Sequence, residues 1–273
     1  MTFNSRRLKN SLVLFVVCLL LNSLANYYGT PLYQIQIVSG WVLMILILLL
    51  FFYSLRKKLT LLPIGKTSSW LQFHSYAGFL SVLVFFQHLT YRLPNGFFEI
   101  ILASFFMVTA LSGIVGMIFS RVIPRHLTRR GEEVIYERIP LFTYEIRKQA
   151  QDLIIECTLK TNSTALADYY QNYLADYFYK PKRPLFHFYG SMGALYVMQT
   201  RHNNFCRYLN EQESVYAQQL FELIRKKYDL DFHYALQGVL KTWLFIHVPL
   251  TYALILAMTV HLMLVYAFLG GLQ

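Results

Sequence analysis

Long apolar runs alternate with short polar segments along most of the chain. No charged side chain occurs from Asn10 to Leu55, and comparable apolar runs follow between Trp70 and Ser120 and again after Val239. Because a bilayer core of about 30 Å requires roughly 20 apolar residues in a helix, these runs predict transmembrane helices. Five segments qualify, at residues 11–28, 35–55, 70–91, 97–120 and 239–269.

The stretch between the fourth and fifth predicted spans has a different pattern. Of the 14 acidic residues in the chain, 13 lie between Glu132 and Asp231. Helical patterns recur within this stretch, at about 143–158, 164–179 and 211–228. The sequence therefore predicts an all-α protein, a polytopic membrane bundle of about five transmembrane helices with a small helical cytoplasmic insert. The predicted parts are residues 1–120 with four spans, the insert 121–236, and residues 237–273 with the fifth span.

Basic residues gather in every second loop. They precede the first span and follow the second and the fourth, whereas the loop after the first has none and the loop after the third has only Arg92. Since positively charged loops stay in the cytoplasm, we predict an inner (cytoplasmic) membrane protein with its N-terminus inside and its C-terminus outside. Residues 6–25 also have the pattern of a cleaved secretory signal, but no large exported domain follows, which favours an uncleaved first span.

Composition narrows the classes of function. Of the 273 residues, 56% are hydrophobic and only 14% are charged, whereas a soluble domain has about 25% charged residues. This balance excludes intrinsic disorder, a collagen-like fibre and a disulfide scaffold. The net charge of +11 follows the loops, and no run of interleaved basic and aromatic residues indicates nucleic-acid binding. Cys18, Cys157 and Cys206 form no CxxC or CxxCH pattern, so we interpret them as small, buried, unreactive thiols.

Four of the eight histidines lie in predicted spans and form a repeat. His74 and His88 in the third span, and His247 and His261 in the fifth, are each separated by 14 residues. Both segments read W-L-x2-H-x13-H. Fourteen residues make nearly four helical turns, so the two histidines of a span share a face and lie about 21 Å apart along the axis. Because both spans run from inside to outside, the histidines form two facing pairs. The inner pair, His74 and His247, lies near the cytoplasm, and the outer pair, His88 and His261, lies near the outside.

Two facing imidazoles at each of two depths suit two haems, each held axially by two histidines. One alternative is that the histidines are packing residues, which the equal spacing on two helices disfavours. Another is zinc or non-haem iron, which would need three or four ligands at one depth, often including carboxylates.

The H-x13-H spacing on two helices resembles the di-haem cytochrome b family, including b561-like and ferric-reductase-like transmembrane cytochromes. This resemblance implies axial pairing of His74 with His247 and of His88 with His261, and two non-covalent haem b groups. The missing CxxCH attachment pattern agrees with non-covalent haem. Unlike the cytochrome b of quinol oxidoreductases, this chain has an insert of more than 100 residues before the second ligand helix and no Pro-Glu-Trp-Tyr motif.

Five further residues are candidates for holding the haems. Arg92, four residues after His88, and Lys241, six before His247, are interpreted as partners of haem propionates, with interfacial snorkelling as the alternative. Three glycines in the spans either let a porphyrin approach the backbone or let helices pack closely. These glycines are Gly78, Gly113 and Gly116.

Glu99 is the one carboxylate that we place at a membrane face, at the outer end of the fourth span. It is a candidate proton acceptor for a quinol, with an interfacial glutamate of no special role as the alternative. Trp70 and Trp243 lie one turn before the inner histidines, and we assign them to the aromatic belt of the membrane interface. The four histidines of the insert have no ligand spacing, so we interpret them as ordinary polar or surface residues: His126, His187, His202 and His233.

These features predict transmembrane electron transfer by a di-haem b-type cytochrome. Membrane lipid, quinone or quinol, and a redox partner subunit on either side are the expected partners. One alternative is a b561- or ferric-reductase-like enzyme that reduces an external metal or small molecule. The other is a non-redox transporter or scaffold with structural histidines.

Overall fold

The computed structural model describes residues 32–58, 67–90, 92–128, 134–179 and 184–269. The predicted first span at 11–28, with Cys18 and the signal-like segment, lies outside these residues. The described residues are helical apart from short turns, and they contain no strand. The all-α class predicted from the sequence is therefore confirmed for the described part of the chain.

Eight α-helices occur in the described ranges. They are α1 (Leu32–Lys58), α2 (Thr67–His88), α3 (Phe97–Leu127), α4 (Ile139–Thr161), α5 (Ala165–Tyr169), α6 (Ala175–Tyr179), α7 (Pro184–Cys206) and α8 (Glu211–Leu269). A 3₁₀ turn at Tyr136–Arg138 precedes α4, and a π-helical turn at Tyr170–Leu174 joins α5 to α6.

Three of these helices, α1, α3 and α8, are long and apolar enough to cross a membrane by length and composition. They coincide with the second, fourth and fifth predicted spans. Three such helices suggest a membrane protein. Helix α2 corresponds to the third predicted span but is not among these three helices. It contains two glutamines and two histidines. The full set of five spans stays a prediction.

The chain divides into two compact units, Met1–Met117 with Trp243–Gln273, and Ile118–Thr242. In the first unit, α1 runs antiparallel to α2 and to α8. The amide of Gln36 donates to the Thr90 hydroxyl at 3.2 Å at one end of α1. At the other end, the ring of Phe51 contacts that of Tyr252, 5.1 Å away. Helices α2 and α8 therefore run in the same direction, as the sequence predicts.

An apolar cluster fills the centre of the first unit. It joins α1, α2, α3 and α8, and consists of Leu43, Leu46, Ile47, Val84, Phe85, Phe106 and Leu254. Large apolar side chains on these helices also remain more than half exposed, among them Val38, Leu111 and Leu256. An apolar exterior around an apolar core is compatible with contact with membrane lipid.

The second unit has its own core. Helix α4 contributes Ile146, Ala150 and Ile154, which pack against Leu220 and Ile224 of α8. The predicted helical patterns at 143–158 and 211–228 fall within α4 and α8, and that at 164–179 covers α5, the π-helical turn and α6. The insert is thus helical, as expected.

Candidate functional site

His88 and His261 face each other in the first unit. Their ring centroids are 6.5 Å apart, and the ring planes are perpendicular at 90°. Imidazole nitrogens bind a first-row metal at about 2 Å, and each nitrogen lies a further ~1 Å from its ring centre, so two axial imidazoles have centroids roughly 6 Å apart. The spacing of this pair therefore fits two imidazoles on opposite sides of one metal ion.

The two histidines line a largely apolar cavity. It contains about 820 Å³ of atom-free space, including space open to the surroundings. All four helices of the unit contribute to the lining, which includes Trp41, Phe85, Phe106, Met258 and Tyr266.

The ring of His88 is held by the backbone and side chains of α1. Its Nδ1 lies 3.0 Å from the carbonyl oxygen of Gln36 and 3.3 Å from Oγ of Ser39. A carbonyl oxygen only accepts hydrogen bonds, so the neutral imidazole carries its proton on Nδ1 and has its lone pair on Nε2. Metal-bound histidines commonly have this arrangement, with the second nitrogen donating to a carbonyl.

Gly40 follows Ser39 and lies against the same ring. A Cβ on Gly40 would approach Cε1 of His88 to 3.0 Å, which is tighter than ordinary van der Waals contact. The missing side chain at Gly40 therefore lets the imidazole lie directly on the α1 backbone.

His247 has similar contacts with α3. Its Nδ1 lies 3.2 Å from Oγ of Ser112, and a Cβ on Gly113 would lie 3.7 Å from its Cε1. The indole of Trp243 stacks on the imidazole at 5.2 Å and 20°, and its Nε1 donates to the carbonyl of Ser112 at 2.8 Å. Trp243 thus contacts a predicted ligand, whereas the sequence interpretation placed it in the aromatic belt.

The contacts of His74 and His247 run to different helices. The ring of His74 lies 4.9 Å from that of Tyr53 on α1, whereas His247 contacts α3. The structure brings the outer pair, His88 and His261, close together, with their ring centroids 6.5 Å apart. For the inner pair it supports only the matching position along parallel helices, one 14-residue step before His88 and His261.

The 14-residue spacing also occurs on the neighbouring helices. Each of the four histidines contacts a residue of an antiparallel neighbour, and two such contact residues on each neighbour are again 14 apart. The pairs are Ser39–His88 and Tyr53–His74 between α1 and α2, and Phe98–His261 and Ser112–His247 between α3 and α8. Two antiparallel helix pairs therefore repeat the same register at both levels.

Ser39, Gly40 and Ser112 of this site were missed by the sequence analysis, whereas Gly113 was among its candidate glycines. Ser39-Gly40 and Ser112-Gly113 are the same dipeptide on α1 and α3, each placed against a histidine. A repeated Ser-Gly in two apolar helices was the available signal. It becomes informative only when the antiparallel register is known, because serine and glycine are common in transmembrane helices.

The candidate propionate partners lie elsewhere than expected. Helix α2 ends at His88, and Arg92 lies in the following loop with its side chain exposed. The argument that Arg92 shares a helical face with His88 is therefore wrong, because Thr90 has a positive φ of 52° and the helix does not continue. The ammonium of Lys241 pairs with the Glu137 carboxylate and lies 4.1 Å from the ring centre of Tyr136.

The three candidate glycines have three different surroundings. A Cβ on Gly78 would meet none of the described atoms within 4 Å, so this glycine borders open space. Gly113 is in ordinary contact with His247, and Gly116 lies against the indole of Trp243. Of the two roles considered, Gly116 therefore has the packing role.

Glu99 lies in the first turn of α3 and is exposed. Its neighbour Phe98 stacks on His261, with centroids 6.4 Å apart and planes at 22°. Glu99 is therefore at the same end of the unit as His88 and His261, where the sequence places it.

Two histidines of the insert are buried, so of the two expected kinds, ordinary polar or surface residues, they are not the second. His202 and His233 are each only 3% exposed, so they are not surface residues, whereas His126 is exposed and the side chain of His187 lies outside the described part. Aromatic rings cover His202, which stacks on Phe221 at 4.9 Å.

The two described cysteines form no disulfide. Cys157 is buried and Cys206 half-buried. Burial raises the pKa of both thiols, which favours the unreactive protonated form. This agrees with their interpretation as packing residues.

Comparison of the chain with models of known protein families, with characterised proteins and with solved structures found no match. The resemblance to di-haem cytochromes b therefore rests on the histidine spacing alone.

The donor set between α2 and α8 consists of two imidazoles, the number of axial ligands that a haem takes from a protein. Among the described residues, no group of three or more His, Cys, Asp or Glu side chains could hold a metal ion. A zinc or non-haem iron site would need such a group. A haem needs only two axial ligands from the protein, and His88 and His261 provide two imidazoles at suitable spacing.

Proposed function

We propose that this protein is a membrane b-type cytochrome that binds two haems and transfers electrons across the bilayer. His88 and His261 would hold the outer haem, and His74 and His247 would hold the inner haem. The proposal is carried by the perpendicular His88–His261 pair, with centroids 6.5 Å apart at a cavity. The Nδ1 contact of His88 with the Gln36 carbonyl supports it, because that contact leaves Nε2 as the ligand atom.

The apolar lining is the protein's main contribution beyond the ligands. Phe85, Phe106 and Leu254 are each less than a tenth exposed beside the outer pair, so they keep water away from the site. A haem held by two histidines supplies reversible one-electron transfer. The chain orients the imidazoles and provides a surrounding of low polarity, and both factors tune the reduction potential of a bound haem.

The proposed topology has five spans in an inner membrane, with the N-terminus and the insert in the cytoplasm. The alternating directions of α1, α2, α3 and the last part of α8 support it, as does the alternation of basic loops. The end of the unit with His88 and Glu99 then faces outward. Quinol in the lipid is the proposed donor or acceptor there, and Glu99 is the proposed proton acceptor.

The test is a pyridine haemochrome assay on the purified full-length protein. We expect two haems per chain in the wild type, and about one in His88→Ala and in His261→Ala, since each haem needs both axial ligands. His74→Ala and His247→Ala should each remove the other haem. His126→Ala, which changes an exposed histidine, is the control and should keep two haems. A wild-type protein that binds no haem would refute the proposal and favour a non-redox membrane protein.

A further inference from the structure

Two of the four proposed ligands each lie against a serine followed by a glycine on a neighbouring helix. On α1, Ser39 contacts the Nδ1 of His88 at 3.3 Å and Gly40 lies under the ring. On α3, Ser112 contacts the Nδ1 of His247 at 3.2 Å, and Gly113 lies under that ring. We call each serine with its following glycine a Ser-Gly seat. The four contacts involve the same atoms of the ring, Nδ1 and Cε1, in both places.

The hydroxyl of the first seat is oriented by the backbone. Oγ of Ser39 donates to the carbonyl of Gln36 at 3.1 Å, and this carbonyl also accepts from Nδ1 of His88 at 3.0 Å. The oxygen of Ser39 is then available to accept from the same Nδ1. Two acceptors therefore meet one ring nitrogen, which sets both the tautomer and the rotation of the imidazole.

The glycine lets the imidazole approach the backbone of the neighbouring helix, and that backbone then limits further movement of the ring. At Gly40 a Cβ would lie 3.0 Å from Cε1, so the ring and the α1 backbone are already in closest contact. At Gly113 the corresponding distance is 3.7 Å, an ordinary contact. The first seat is therefore the tighter of the two.

Each level of the proposed site has one seated histidine. His88 is seated at the outer level and His247 at the inner level. Neither ring nitrogen of the outer partner, His261, has a hydrogen bond within the part of the chain that the structure describes, and its ring stacks on Phe98. The two ligands of the outer pair are thus held in different ways.

From this arrangement we infer that Ser39-Gly40 and Ser112-Gly113 position one axial ligand of each haem. The inference rests on the proposed function. The serines act through the histidines and are therefore positioning residues. Removal of such a hydrogen-bond partner typically weakens metal binding by about 10–100-fold, so each seat should affect the haem at its own level and leave the other unchanged.

The experiment compares Ser39→Ala and Ser112→Ala with a matched control. Ser104→Ala removes a serine of α3 whose hydroxyl donates to the carbonyl of Ile100 in the same helix, at 2.7 Å. The purified haem-loaded proteins are equilibrated with excess apomyoglobin, which reports the affinity for each haem. The EPR g-values of the oxidised proteins are recorded as well, since they respond to the relative orientation of the two imidazole planes.

We expect each seat variant to bind one of its two haems about 10–100-fold more weakly and to shift one set of g-values. Ser104→Ala should match the wild type in both measurements. Ser112→Thr, which keeps the hydroxyl, should restore the affinity and g-values that Ser112→Ala loses. Gly40→Ala, which presses on the ring of His88 without removing a hydrogen bond, should affect the same haem as Ser39→Ala.

Two outcomes separate failure of the seats from failure of the proposed function. If the wild type holds two haems and both seat variants match Ser104→Ala in affinity and g-values, the seats do not position the ligands, although the cytochrome stands. If the wild type holds no haem, both ideas fail together. If Ser39→Ala does not fold, Gly40→Ala and Ser112→Ala decide the matter in the same two measurements.

Discussion

Gly116 of α3 lies directly against the indole ring of Trp243 on α8. A Cβ at Gly116 would come within 1.8 Å of Cζ2 of the tryptophan, a distance that atoms in a folded protein do not reach. The same indole donates to the carbonyl of Ser112 and stacks on His247. Close contact of α3 and α8 at Gly116 therefore sets the position of a ring that supports one of the proposed ligands.

We expect Gly116→Ala to lower the stability of the protein by about 1–3 kcal/mol, since the new methyl group overpacks the contact and Trp243 must move. Thermal unfolding in detergent, followed by circular dichroism, measures this. Gly193→Ala is the control, because Gly193 is exposed in α7 and an added Cβ meets none of the described atoms within 4 Å. Unfolding of Gly116→Ala at the wild-type temperature would show that the indole is not held as described.

The helices and the outer histidine pair could be predicted because both depend on local periodicity. Length and apolar composition are enough for α1, α3 and α8. His88 and His261 each follow another histidine by 14 residues, and their two helices run in the same direction. These two facts are enough to predict that the two side chains lie at one level. The sequence also assigns α2 to the membrane, but α2 is not among the helices that are long and apolar enough by the structure, and it contains the polar residues His74 and His88.

Contacts between elements distant in sequence could not be predicted. Lys241 pairs with Glu137, which is 104 residues away, and no local pattern indicates this. The end of α2 at His88 was missed as well, because the loop that follows contains no charged residue before Arg92 to mark the boundary. In both cases the position of a charged side chain, Lys241 or Arg92, depends on tertiary structure and not on local sequence.

The buried ion pair of the insert should be sensitive to loss of one partner. The ammonium of Lys227 lies 2.5 Å from the Asp231 carboxylate, and both side chains are at most 2% exposed. Lys227 also lies 4.6 Å from the ring centre of Tyr177. Lys227→Met removes this counter-charge from a carboxylate that stays buried, so we expect a loss of about 3–5 kcal/mol in the free energy of unfolding.

Denaturant unfolding of the full-length protein in detergent measures the effect of Lys227→Met. The control is Lys160→Met, which breaks an exposed pair with Glu156 and should change little, because exposed ion pairs contribute little to stability. The double variant Lys227→Met with Asp231→Leu should be more stable than Lys227→Met, since neither charge of this pair then remains. Equal stability of the wild type and Lys227→Met would contradict the buried pair.

His202 should make the insert sensitive to acid. Burial holds the pKa of His202 below its ordinary value, and Phe221 stacks on its ring. The unfolded chain takes up a proton near pH 6.5, whereas the folded protein resists protonation at this site. The contribution of neutral His202 to the free energy of unfolding is therefore fully present above about pH 6.5. It is lost as the pH falls towards the lower pKa of the folded state.

Thermal unfolding between about pH 8 and pH 5 tests this dependence. We expect His202→Phe, which keeps an aromatic ring in the stack, to reduce the loss of stability on acidification. His126→Gln changes an exposed histidine and should keep the wild-type slope. If His202→Phe loses stability with pH as steeply as the wild type, another group is responsible for the acid sensitivity.

A substitution at Gly78 should affect haem binding without lowering the stability of the haem-free protein. Gly78 follows His74 by one helical turn and therefore lies on the same face of α2, and an added Cβ would meet none of the described atoms within 4 Å. In the haem-free protein we expect Gly78→Ala to be as stable as the wild type, or more stable by about 0.5–1 kcal/mol, as is typical of this change within a helix.

In the haem-loaded protein the same methyl group would occupy space that we assign to the inner porphyrin. We therefore expect the haem content of Gly78→Ala to fall from two per chain towards one in the haemochrome assay, with Gly193→Ala keeping both. A combined variant, Gly78→Ala with His74→Ala, should bind no less haem than His74→Ala alone, because both changes act on the same haem. Two haems bound by Gly78→Ala at wild-type affinity would place the open space beside Gly78 outside the haem site.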